Sequence, residues 1–129
     1  MHPYTINRAQ AHDLAAIVEI YNSTVASRQS TADLKPVSVA ERQAWFDAHT
    51  GARPLYVLGN ADGEVLAWGC FSDYYARPAY HISVEISVYV RHDMRGVGVG
   101  KILLQYMLEQ APSLGIRNIL AVIFGHNHA

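Results

Sequence analysis

Only one cysteine, Cys70, occurs in the 129 residues. No internal disulfide can form, so a reducing compartment such as the cytoplasm is the expected home. No apolar run approaches the roughly 18 residues that a membrane-spanning helix needs. The amino-terminal Met1-His2-Pro3-Tyr4 also lacks the charged and apolar blocks of a signal peptide. Nor is there a basic excess: ten Lys and Arg against eleven Asp and Glu leave a net charge of −1. That argues against nucleic acid as a partner, and the absent apolar run argues against a membrane. Linkers, repeats and low-complexity tracts are missing too. What is there is half apolar, enough for the core of one soluble domain over residues 1–129.

Hydrophobic spacing orders that domain. A short strand is predicted over residues 3–8. Leu14, Ile17, Val18 and Tyr21 then follow helical spacing from Asp13 to Val25. Ser38-Val39-Ala40-Glu41 is a capping box and predicts a helix to about His49 that buries Val39, Trp45 and Phe46. Strands are predicted over Pro54–Gly59 and Glu64–Phe71, around the turn Asn60-Ala61-Asp62-Gly63. An aromatic loop follows over Ser72–Ala79. Tyr80 to Val90 alternates Ile82, Val84, Ile86, Val88 and Val90 on one face, which predicts a long strand. A helix from Gly98 to about Pro112 turns Val99, Ile102, Leu103, Tyr106 and Met107 inward. Gly115 ends it, and a strand runs from Ile116 to Phe124. The order β-α-α-β-β-β-α-β is mixed α/β with a strand–helix–strand crossover near its end.

The chemistry concentrates where the long strand meets that last helix. Gly96, Gly98 and Gly100 alternate directly before the helix, with Arg95 and Lys101 beside them. Unpartnered N–H groups and the helix dipole make such a start receptive to anions, and glycine lets a bulky phosphate approach the main chain. A Walker A loop needs Gly five positions before Gly100, where Arg95 stands, and Ser or Thr after Lys101, where Ile102 stands. A dinucleotide fingerprint needs Gly at position 101. What remains is Arg-x-x-Gly-x-Gly, Arg95, Gly98 and Gly100. The bland reading is a tight strand-to-helix turn, but a mere turn needs neither flanking cation.

Arg95-x-x-Gly98-x-Gly100, placed after a strand and opening a helix, resembles the acyl-CoA loop of the GNAT N-acetyltransferase superfamily. Ile20-Tyr21-Asn22, Pro36-Val37-Ser38 with Trp45-Phe46, Arg77-Pro78-Ala79-Tyr80, Val84-Glu85-x-Ser87-Val88-Tyr89-Val90 and Asn127-x-Ala129 are similar to its phosphinothricin and methionine sulfoximine acetyltransferase branch. The resemblance implies a GNAT-like, mostly antiparallel mixed sheet around a strand–helix–strand core. It implies acetyl-CoA as cosubstrate and the primary amine of a small amino-acid-like molecule as acceptor. Val97, Gly98, Val99, Gly100 and Lys101, with Arg95 and Gly96, would then hold the cofactor, and Asn127 would contact its arm. The strand bearing Val88-Tyr89-Val90 would splay from its neighbour and offer main-chain groups to that arm. Glu85 would be the general base, and Arg77, near Tyr75, would grip the substrate carboxylate.

Each residue also has a plainer reading. Glu85 sits on the strand face opposite Ile86 and Val88, where it could be a solvated carboxylate beside Ser83 and Ser87. Losing part of its hydration beside a cleft would instead suit a proton acceptor. Arg77 could be a surface arginine. Tyr75 stands where the family often has a second Arg, and Ile86 where it often has His or Asn. His126 and His128 could chelate a metal, but no spaced Cys or Asp joins them, so no metal is expected. Cys70 reads as core. The family pattern continues beyond Asn127-x-Ala129 into further elements, so a carboxy-terminally truncated domain is expected, with apolar surface favouring a homodimer. The alternative function is a non-catalytic acyl-CoA-binding module or an inactive fragment.

Overall fold

The computed structural model describes residues 3–27, 38–49, 53–73, 83–94, 97–116 and 118–124. In chain order come β1 (Thr5–Arg8), α1 (Leu14–Ser27), α2 (Val39–Ala48), β2 (Leu55–Gly59), β3 (Val65–Asp73), β4 (Ser83–Val90), α3 (Val99–Gln110) and β5 (Asn118–Phe124). The strands lie in sequence order in one sheet. The first three pairings are antiparallel, and β4–β5 alone is parallel. A parallel neighbour demands a crossover, and α3 supplies it.

Strand alternation divides the sheet into two faces. Val84, Ile86, Val88 and Val90 of β4 are buried with Val99, Leu103 and Met107 of α3. On the other face Ile17 and Ile20 of α1 pack with Leu55, Val57, Trp68 and Cys70, and Trp45 and Phe46 of α2 close over them. Removing each such side chain from water contributes about 1.5–3 kcal/mol. The result is helix, sheet, helix in three layers. Gly69 in β3 permits the closest approach, because a Cβ there would meet the Met107 sulfur at 2.7 Å and the Ser87 carbonyl at 3.2 Å.

The predicted capping box forms in full. Ser38 Oγ accepts from the Glu41 N–H at 3.1 Å, and Glu41 Oε1 accepts from the Ser38 N–H at 2.8 Å. One expectation for α2 fails: Val39 is 41% exposed. As the first helical residue it lies beside the cap, nearly two turns along the helix from Trp45 and Phe46. The hairpin turn closes as predicted, with Gly63 at φ +83° and Asn60 Oδ1 accepting from the N–H groups of Asp62 and Glu64 at 3.0 Å.

Candidate functional site

Gly98 is the N-cap of α3, at φ +88° in the left-handed region, and caps nothing with a side chain. Among the described residues, no acidic group lies in the first turn of α3. The Gly98 carbonyl receives its helical bond from the Ile102 N–H at 3.1 Å. The N–H groups of Val99, Gly100 and Lys101 precede that first intrahelical donor. Lys101 puts a cation where the helix dipole favours an anion. Each choice costs helix stability, and each suits a phosphate. Among the described residues, and its own chain neighbours aside, a Cβ on Gly98 would meet no atom within 4 Å, so the approach is open on that side. The cradle therefore fits a pyrophosphate. Arg95 and Gly96 lie outside the described residues, as do Tyr75, Arg77, Asn127, His126 and His128.

Arg91, although nearby, is not spare. Its Nε donates to Asp93 Oδ1 at 2.6 Å and its Nη2 to Asp93 Oδ2 at 3.0 Å, while Glu64 Oε2 lies 3.8 Å from Nη1. Its hydrogen bond to Asp93 raises the Arg91 pKa and holds the Asp93 carboxyl below the usual range.

The main chain of β4 decides where a cofactor arm could pair. The Arg91 N–H donates to the Leu66 carbonyl at 2.9 Å. Antiparallel alternation then turns the polar groups of Glu85, Ser87 and Tyr89 toward β3, and those of Val84, Ile86, Val88 and Val90 toward β5. The splay expected at Val88 is absent. Pairing with β5 continues through Val88↔Ile123 to Tyr89↔Phe124, so the Val88 groups face a ladder partner. Val90 is the first β4 residue past the described pairing.

Glu85 lies half-buried on the α1/α2 face, as the alternation predicts. Ser87 Oγ donates to Glu85 Oε1 at 3.5 Å, and Ser72 is its cross-strand partner. Ser72 leads on to α2, since its Oγ lies 3.4 Å from His49 Nε2. The other ring nitrogen, Nδ1, lies 2.9 Å from the Trp45 carbonyl. A carbonyl can only accept, so Nδ1 carries the proton and Nε2 of a neutral ring accepts from Ser72. Cys70 Sγ, 3.9 Å from Ser72 Oγ, is buried as expected. Burial pushes its thiol from 9.0 up to about 12, against the Ser72 hydrogen bond and with Glu85 adding to the rise.

Aromatic rings wall this face. Tyr89 stacks on Trp68 with centroids 4.4 Å apart, and Trp45 meets Trp68 edge-on at 5.4 Å. Tyr21 of α1 reaches Tyr89 at 5.6 Å. Burial first, then the neighbouring Cys70 and Tyr21, push the Tyr89 phenol from 10.0 up to about 12. Among the described residues, the buried Trp68 indole N–H meets no acceptor.

The sequence reading missed Arg42, His49 and Ser72. A signal was present: Arg42, Trp45 and His49 are spaced three and four apart, so two polar residues share the stripe of a core tryptophan. A polar cleft of about 430 Å³ at the far side of the sheet, bordered by Thr5, Asn7 and Asp13, touches none of the predicted site residues. Among the described residues no three His, Cys, Asp or Glu side chains gather as metal ligands. No described helix is long and apolar enough to cross a membrane.

Comparison with known proteins fits this geometry. The model of the acetyltransferase (GNAT) family matches residues 14–129. The chain is 51% identical over 123 residues to YwnH of Bacillus subtilis, named as a candidate phosphinothricin acetyltransferase, covering 95% of this chain and 76% of that protein. It is 40% identical over 128 residues to the L-methionine sulfoximine/L-methionine sulfone acetyltransferase of Pseudomonas aeruginosa, covering 97% and 73%. Among solved structures, the GNAT superfamily phosphinothricin acetyltransferase of Sinorhizobium meliloti in complex with AcCoA is similar, with a TM-score of 0.84 and 35% identity. That match covers 96% of this chain and 68% of the other.

Proposed function

The chain belongs to the acetyltransferase (GNAT) family, and we propose that it acetylates the primary amine of a small amino acid of the phosphinothricin or methionine sulfoximine type. The observation that carries this is the pairing of an open, uncapped α3 start with a half-buried carboxylate, Glu85, on the strand that leads to it. The relatives at 51% and 40% identity support the substrate class through the activities they are named for.

Acetyl-CoA, when bound, supplies an activated acetyl thioester. Gly98, Val99, Gly100 and Lys101 would hold its pyrophosphate, with Val97, Arg95 and Gly96 beside them. Val90, more than Val88, has main-chain groups placed for the pantetheine arm; Tyr89 lends its ring to the wall, and Asn127 is a further contact. Glu85 removes a proton from the substrate ammonium so that the nitrogen lone pair is free to attack. The Ser87 hydroxyl orients the carboxylate. Arg77 and Tyr75 belong to the substrate side of the same proposal.

We further propose that residues 1–129 belong to a single acetyltransferase domain, with a cytoplasmic location and a homodimeric assembly. The lone buried thiol supports the cytoplasmic location, since a single cysteine can form no internal disulfide. The test is thiol release. Purified protein with acetyl-CoA and either L-phosphinothricin or L-methionine sulfoximine should liberate CoA only when the amine is present. Cofactor binding without amine-dependent release would leave a binding module instead.

A further inference from the structure

We propose that Arg42 is an anion anchor on the substrate side of the site, taking a carboxylate or phosphinate oxygen of the same molecule whose amine meets Glu85. The inference rests on the acetyltransferase reading above. It starts from how the guanidinium is held. Its carbon lies 4.7 Å from the Tyr21 ring centre and 4.8 Å from that of Trp45, so rings from both α1 and α2 fix one half-buried cation. A ring face attracts the charge but leaves a guanidinium's five N–H donors in need of acceptors. Among the described residues no carboxylate lies within ion-pairing distance of Arg42.

Position makes this cation part of the site. Tyr21, which Arg42 covers, contacts Tyr89, and Trp45 contacts Trp68 on the same face. Arg42 and Glu85 both act electrostatically on Cys70 and Tyr89, with opposite signs. A fixed cation and a carboxylate thus face one patch of sheet. Glu85 and Tyr89 are four residues apart, about 13 Å along the strand. The charges of a small zwitterion lie only a few ångströms apart, so the Arg42 and Glu85 side chains would reach toward each other across that span, with the ammonium meeting Glu85 and the anion Arg42. The planar fork of arginine grips such oxygens in pairs, which lysine cannot do. A purely structural role, tying α1 to α2, would use the same ring contacts but would not read the charge of the substrate.

The experiment compares wild type, Arg42→Gln and Arg42→Lys in CoA release with three amines. L-phosphinothricin carries two anionic groups, L-methionine sulfone carries one, and the carboxamide of methionine sulfone carries none. Arg42→Gln should raise KM on the order of 10-fold or more for anionic amines, with KM for the carboxamide and the Kd of acetyl-CoA unchanged. Arg42→Lys should fall between. A rise confined to phosphinothricin assigns the side-chain terminus; a rise for both amino acids assigns the α-carboxylate. KM values left unchanged by Arg42→Gln for all three amines, or an equal loss with the carboxamide, would overturn the proposal. Failure of wild type to acetylate any of them would instead remove the enzymatic reading and this inference together. If Arg42→Gln does not fold, the charge-dependent KM split in Arg42→Lys decides.

Discussion

Gly98 combines a left-handed backbone with open space outside it, and a substitution strikes both. With φ at +88° any side chain is strained there, and that side chain would stand where a phosphate must approach. Gly98→Val is expected to weaken acetyl-CoA binding on the order of 10-fold or more, read by calorimetry; unchanged affinity would remove the cradle. Cys70 makes a second expectation. Its buried thiol, pushed up to about 12, stays protonated at neutral pH, so iodoacetamide should label it rapidly only after denaturation. Fast labelling of the native protein would contradict the burial. Much of the site was legible at individual positions. Glu85 stood out against the apolar alternation of its strand, and the glycines against their flanking cations. Arg42 did not, because its meaning depends on Tyr21, which another helix delivers.

The layer of α3 on β3 and β4 depends on Gly69, where Met107 fills the space a side chain would need. Gly69→Ala should destabilise the protein by about 1–3 kcal/mol through overpacking, measured by urea unfolding. Met107→Ala, which costs about 2–5 kcal/mol at a buried site, should cost less in the Gly69→Ala background than in wild type, since it vacates the colliding atom. Full additivity of the two changes would show that the contact does not limit packing. The elements themselves were largely readable. Ser38 and Glu41 announced the start of α2, and the even positions from Val84 to Val90 announced a strand with one buried face. Val39 was misjudged because apolar character says nothing of which way a first helical residue points. The opening expected at Val88 was misplaced because sequence does not reveal how far two parallel strands stay paired. The ladder reaches Tyr89↔Phe124, which shifts attention to Val90.

Two buried groups on one face tie the stability of the entire fold to alkaline pH. Cys70 rises from 9.0 and Tyr89 from 10.0, both to about 12, mainly through burial. In each case the folded chain holds the proton more tightly than the unfolded chain does. Their contribution is therefore intact below about pH 9 and falls as pH rises toward 12. The loss is about 4 kcal/mol for the thiol and about 3 kcal/mol for the phenol taken singly, and less than their sum together because the two groups interact. Urea midpoints across that range should decline, and Cys70→Ala should delay the onset to about pH 10; an identical curve in the variant would contradict the assignment. The chemistry is proposed for that same face, with helix α3 packed on the reverse side of the sheet, so cofactor binding and proton removal should be separable. Glu85→Gln measures that separation most directly. The account predicts an acetyl-CoA Kd close to that of wild type, with turnover reduced on the order of 100-fold. Wild-type turnover in Glu85→Gln across pH 6 to 9 would contradict it.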